Sequence, residues 1–289
     1  AEAGAGLALA VILEFATPGI GRPEDVERIF DLAHLSSVPW AAAPGDTENG
    51  LRSIRLVVAA PGGAYAEAIR EARREIDVRR THGAARLIQV VSSLPGEGAV
   101  VATSNLAHHY ALTGSKVLLI DADLRRGGLT RELAAGRATG LLEAIATGMP
   151  VESAILRDGR TGLHFLPASG PLPSHHSSAE LISSPAMAEA MNRLRTQFDT
   201  IVINSPPLLP VIDGRVIADY ADQIVLVMTW RKTPKELAKR ALKCLGFNHR
   251  KVVGILMTEV DPAVLEDTRN LGASLQGAYA ARTGLRHAA

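Results

Sequence analysis

The stretch "SSLPGEGAVVATSNLA", Ser92–Ala107, decides the fold. It follows the apolar run "ARLIQVV" and leads into a segment that reads as a helix. Strand, glycine-bearing turn and helix N-terminus in that order have the layout of a phosphate-binding loop, where convergent backbone N–H groups and the helix dipole favour an anion. In a working loop of this kind a lysine reaches the β and γ phosphates and a Ser or Thr hydroxyl binds magnesium. Here Gly96, Glu97 and Gly98 remain, but the lysine position is Ala99 and the hydroxyl position is Val100. The cradle is kept and both charge-handling side chains are missing.

Outward from this loop, apolar runs of about six residues alternate with amphipathic segments, the signature of a parallel sheet with crossover helices. Strands are predicted at 87–93, 116–121, 163–168, 200–205, 223–230 and 252–258, and helices near 101–113, 140–147, 184–197, 212–219 and 233–245. The expected architecture is α/β, a three-layer sandwich around a mainly parallel sheet. Ahead of it, "PEDVERIFDLA" from Pro23 has Pro at a first helical position, acids in the first turn and an apolar stripe at Val26, Ile29, Phe30 and Leu32, which predicts a short helix. Pro39 to Gly63 has linker composition, and "YAEAIREARREIDVRR" predicts a charged helix. The boundaries expected are 1–20, 21–63 for membrane-proximal helix and linker, 64–268 for the main domain, and a loose tail over 269–289.

The composition, 47% hydrophobic over 289 residues, supports a substantial core. Thirty-one basic against thirty acidic residues leave a net charge of +1, so no global field points to nucleic acid. The single Cys244 forms no disulfide within the chain and reads as a buried thiol in a helix. "GLALAVILEF" near the start is too short to cross a bilayer alone. It reads as the cytoplasmic end of a transmembrane helix, or alternatively as a short buried helix.

Ligands of open α/β sheets sit beyond the carboxyl ends of the strands, and two further loops there look chemical. In "VLLIDADLRRGG", Asp121 and Asp123 end a strand, where carboxylates can hold magnesium or take a proton, although an Asp there also simply starts a turn. In "FDTIVINSPPLLPVID", the position that orients magnesium in a nucleotide hydrolase is the neutral Asn204. The pairs His108–His109 and His175–His176 have no further Cys or His cluster, so no metal site is expected. Trp40 and Trp230 have no aromatic neighbours in sequence to make a base-stacking platform.

Together "RPEDVERIFDLAHLSSVPW", "SSLPGEG…NLA", "VLLIDADLRR", "SSAELISSPAMAEAMNRLRTQFDTIVINSPPLLPVID" and "VVGILMTEVD" resemble the cytoplasmic part of bacterial tyrosine kinases, which are fused to or partnered with polysaccharide co-polymerases and share the P-loop fold of MinD and ParA ATPases. The resemblance implies ATP and magnesium as family cofactors. It implies that Glu67, Arg70 and Arg73 of "EAIREAR", an E-x-x-R-x-x-R pattern, join subunits into a ring, although a solvated charged helix has the same spacing. Asp121, Asp123 and Asp213 match the family's acids, and Arg125 and Arg126 its basic pair. Ala99, Val100 and Asn204 depart from it, Thr258 stands where an Asn is expected to contact adenine, and the tail offers only Tyr279 as an acceptor.

The expectation is a pseudokinase module with no bound cofactor, at the cytoplasmic face of the bacterial inner membrane. Its partners would be itself in a homo-oligomeric ring, the polysaccharide export and polymerisation machinery, and the membrane through the truncated helix, with no nucleic acid. The alternative is an active tyrosine autokinase or ATPase using Asp121 and Asp123 with a cation from elsewhere, such as Arg125 or a neighbouring subunit. A MinD-like positioning protein is disfavoured, because it has no use for the "PEDVERIF" lead-in.

Overall fold

All six predicted apolar runs become strands of one sheet in the computed structural model, which describes residues 19–40, 53–79, 86–170 and 177–265. The elements run α1 Pro23–Phe30, β1 His34–Pro39, α2 Leu56–Ala59, α3 Ala64–Val78, β2 Arg86–Ser92, α4 Ala99–Leu112, β3 Val117–Asp121, α5 Gly128–Leu133 and α6 Leu141–Thr147. They continue with β4 Leu156–Arg157, β5 His164–Leu166, α7 Ser178–Ile182, α8 Pro185–Gln197, β6 Thr200–Asn204, α9 Asp213–Tyr220, β7 Gln223–Thr229, α10 Lys235–Cys244 and β8 Val252–Val260. The strand order is β1-β8-β7-β2-β6-β3-β5-β4. Among the described residues only the β4–β5 pair is antiparallel.

Strands buried on both faces explain the near-continuous apolar runs. On β2, Leu87 and Val91 point to one core, and Ile88 and Val90 to the other. The same alternation puts Leu118 and Ile120 of β3 opposite Val117 and Leu119. Helices α6, α8, α9 and α10 cover the first face, and α3 and α4 the second, giving the three layers expected. Gln89 is a buried polar residue in the middle of β2, and its amide donates to Ser205 Oγ (2.9 Å) and Gly214 O (2.7 Å).

The sheet takes in two strands beyond the six predicted, β1 at one edge and the two-residue β4 at the other. "HLSSVP" forms β1 and pairs with β8, so the segment ahead of residue 64 contributes directly to the sheet. Helix α1 begins with Pro23 at the predicted position and buries Val26 and Phe30 in the first core. Gly21 O accepts from Trp230 Nε1 (2.9 Å), and Ile20 O from Arg231 N (2.9 Å). Cys244 is only partly buried, at the end of α10. Residues 1–18, the pair His175–His176, and Tyr279 with the tail lie outside the described residues. Among the described residues no helix is long and apolar enough to cross a membrane.

Candidate functional site: a P-loop cleft without its lysine

The carboxyl ends of β2, β3 and β6 meet at a cleft of about 350 Å3. Its floor is the loop between β2 and α4. Gly96 (φ 85°) and Gly98 (φ 79°) adopt the left-handed backbone that side chains resist, and a Cβ on Gly98 would lie 3.2 Å from the Thr258 side chain. The loop is tied down from below. Glu97, between the glycines, is buried and accepts from Leu94 N (2.9 Å) and from Thr233 Oγ1 (2.5 Å). Burial pushes the Glu97 carboxyl above its ordinary range, while Thr233 and the loop N–H groups work against that rise. Thr258 donates its hydroxyl to Glu97 O (2.8 Å), with Met228 O at 3.2 Å. At the position of the expected base contact, this hydroxyl therefore holds the loop.

Ala99 and Val100 open α4 and place only carbon at the cleft. Val100 packs towards Gly128, where a Cβ would come within 3.2 Å of its methyl. The two predicted acids of β3 have separate environments. Asp121 is fully buried and meets four donors: Asn204 Nδ2 (2.9 Å), Asp123 N (3.3 Å), Thr130 N (2.8 Å) and Thr130 Oγ1 (2.8 Å). A carboxylate has about four lone-pair sites, so these donors saturate it. Burial raises its pKa, against the pull of Asn204 and Thr130. Asp123 alone of the pair lines the cleft, accepting from Arg126 N (3.1 Å), and burial raises its pKa as well.

Asn204 turns its amide NH2 to Asp121, leaving its buried Oδ1 beside the cleft without a hydrogen-bond partner among the described residues. The expected cation, Arg125, is not there: its Nε donates to the buried Asp213 (3.0 Å), which also accepts from Ser178 Oγ (2.5 Å). The cations lining the cleft are Arg126 and Arg131. Arg131 was not anticipated from sequence. It sits on α5, and its guanidinium donates to Arg126 O.

These donors do not fit a magnesium ion. The hydroxyl is replaced by Val100, the third-loop carboxylate by an amide, Asp121 and Glu97 are consumed by their own chain, and Glu259 is paired with Lys232 (2.7 Å), so of the lining carboxylates Asp123 is left to face the cleft. Magnesium demands near-octahedral oxygen geometry and a directed ligand set. Among the described residues no cluster of three or more His, Cys, Asp or Glu could hold a metal.

On α3, Glu67 and Arg70 pair with each other at the surface, and Arg70 Nη1 also donates to Pro61 O (2.8 Å). Arg73 turns inward to α4, donating to Thr113 Oγ1 (2.6 Å), facing His109 Nδ1 (3.2 Å) and stacking 4.4 Å over Tyr110. The two guanidiniums of the expected ring motif thus point to different surroundings. Trp40 is half exposed beneath Lys232.

The sequence profile of a family described as an AAA domain matches residues 85–243. The succinoglycan biosynthesis transport protein ExoP of Rhizobium meliloti is 36% identical over 79% of this chain and 29% of its own length. The tyrosine-protein kinase YwqD of Bacillus subtilis is 32% identical over 72% of this chain and 88% of its own length. The solved BceF tyrosine kinase domain superposes with a TM-score of 0.70 at 28% identity, covering 84% of this chain and 99% of that one. This chain spans about a third of the length of the larger curated relatives. A P-loop on a parallel sheet, the paired acids after β3 and these relatives agree: the chain belongs to the bacterial tyrosine kinase family, on the MinD-like P-loop fold.

Proposed function

We propose that the chain is a pseudokinase module of an exopolysaccharide or capsule co-polymerase. It works as an oligomeric platform at the cytoplasmic face of the inner membrane and supports polysaccharide export or chain-length control. The observation that carries this reading is the saturation of Asp121 by Asn204 and Thr130 beside a loop that ends in Ala99 and Val100. Removing one positive charge about 4 Å from a phosphate costs about 4 kcal/mol at an effective dielectric near 20, roughly a thousandfold in affinity. Transfer of a phosphoryl group suffers further, because the same groups stabilise its spreading charge. The names of relatives, among them a succinoglycan transport protein, support the polysaccharide setting. Assembly into a ring rests on Glu67 and Arg70 at the surface of α3, and membrane attachment on the apolar lead-in.

A second reading is an active autokinase or ATPase with an atypical site. Arg126 and Arg131 in the cleft favour it, since either guanidinium could take over the missing lysine's charge.

Isothermal titration with ATP and with ADP, each with magnesium, separates the two. The pseudokinase reading expects no binding to the natural chain and restored binding in Ala99→Lys, Val100→Thr, Asn204→Asp. Tight binding abolished by Arg131→Ala, or tyrosine autophosphorylation by the purified protein, overturns it in favour of the enzyme.

A further inference from the structure

A recess of about 530 Å3, larger than the P-loop cleft, lies between the far part of α4 and the β4–β5 edge of the sheet. His108, which lines it, follows Ala99 by nine residues on α4, about 13 Å along the helix axis, so the recess is separate from the phosphate cradle. Arg55, Arg137 and Arg157 bring three guanidiniums to it against the single carboxylate of Asp158, an excess of two positive charges.

That carboxylate is already engaged. It accepts from Thr161 Oγ1 (2.7 Å) and Arg160 N (3.2 Å), and Arg55 Nη1 stands 3.7 Å away. Burial alone would raise Asp158, but these hydrogen bonds and the Arg55 guanidinium hold it below the usual carboxylate range. Arg137 and Arg157 make no side-chain hydrogen bond or ion pair among the described residues.

Among the described residues, two buried nitrogens here have no hydrogen-bond partner, Arg55 Nε and His108 Nε2. His108 is fully buried, and its Nδ1 lies 2.8 Å from Ser104 O, which only accepts. Nδ1 therefore carries the hydrogen, and in the neutral ring Nε2 presents a bare lone pair. The nearest acid, Asp158 Oδ2 at 3.9 Å, is too distant for a hydrogen bond and cannot donate when ionised. Burial, helped by Arg55, lowers the His108 pKa and keeps the ring neutral. Orphaned buried groups of this kind are rare unless something satisfies them.

The unmet needs are specific. Arg55 Nε, Arg137 and Arg157 call for anionic oxygens, and His108 Nε2 calls for a hydroxyl donor close by. Leu133, Leu163 and Phe165 add an apolar wall, and the volume falls in the range of small-molecule sites. We propose that this recess binds a small phosphate ester, with its phosphate on Arg55, Arg137 and Arg157 and a hydroxyl of the ligand donating to His108.

The test is titration of the chain with uridine 5′-monophosphate, which carries a phosphate, hydroxyls and a flat apolar face, in parallel with vesicles containing phosphatidic acid. The variants are Arg137→Ala with Arg157→Ala, both exposed positions, and Arg126→Ala with Arg131→Ala at the P-loop cleft. Binding of the nucleotide, weakened at least tenfold by the first pair and less than twofold by the second, is the expected result, since each lost guanidinium contact is worth about tenfold. The ring resonances of His108 should shift on binding. No binding, binding lost only with Arg126 and Arg131, unmoved His108 resonances, or binding to vesicles alone overturns the proposal.

Discussion

Replacing Asn204 by aspartate, the residue a working third loop carries, puts a second buried carboxylate against Asp121. The amide nitrogen of Asn204 is 2.9 Å from Asp121 Oδ1, and both residues are almost wholly buried. Two carboxylate charges about 3 Å apart repel by about 5.5 kcal/mol at an effective dielectric near 20, equivalent to about four pKa units. The folded pair therefore keeps one proton between its oxygens well above the pH at which the unfolded side chains, near 3.9, have lost theirs. Where the folded state binds more protons than the unfolded one, stability falls as pH rises, by up to about 1.4 kcal/mol per unit for one proton. The natural chain already has a slope of the same sign, because burial raises Asp121. The variant should be less stable by about 1.5 kcal/mol at pH 5 and by about 5 kcal/mol at pH 8. Urea unfolding at the two pH values, followed by circular dichroism, measures the gap. A gap of equal size at both, or none at pH 8, refutes the picture of Asn204 as the neutral partner of a buried charge.

Thr130→Val removes the hydroxyl that donates to Asp121 and accepts from Ala168 N (2.8 Å), and should cost about 2 kcal/mol in urea unfolding, while Thr130→Ser stays within about 1 kcal/mol. Gly98→Ala forces a side chain into left-handed backbone and 3.2 Å from Thr258, so a loss of about 1–3 kcal/mol is expected in thermal or urea unfolding. Arg73→Ala should lower the unfolding free energy by about 2 kcal/mol through its lost contacts with Thr113 and Tyr110. Arg70→Ala, at the surface, should change stability by less than about 0.5 kcal/mol yet reduce oligomer size in light scattering, and an unchanged oligomer would remove Arg70 from the assembly surface.

The sheet was legible because strands buried on both faces write themselves as uninterrupted apolar runs, as "LIQVV" and "TIVIN" do. "HLSSVP" carries no such run, since an edge strand has one neighbour and tolerates the serines and the proline that a central strand excludes. The loss of the lysine and the hydroxyl could be read directly at Ala99 and Val100. What replaced them could not. Arg125 and Arg131 look alike in sequence, and only the turn after Asp123 and the short helix α5 send one to Asp213 and the other to the cleft. The fate of Asp121 was hidden for the same reason, because three of its four donors come from positions 9 and 83 residues away. His108 read as half of an unremarkable pair until its fourth-neighbour carbonyl fixed the hydrogen on the ring.

The docking of residues 20 and 21 has a mechanical consequence. Ile20 and Gly21 are bonded to Arg231 and Trp230 just past β7, Trp230 N donates to Thr258 O (2.9 Å), and Thr258 holds the carbonyl of Glu97. Tension applied to the chain ahead of Gly19 is therefore borne first by these few bonds before it reaches α1 and β1. The load passes along them in series to the turn between Gly96 and Gly98, both held in left-handed backbone. In a protein pulled from that end, the bonds of Ile20 and Gly21 are the first to stretch, and the bond that shapes the phosphate cradle lies further along the same path.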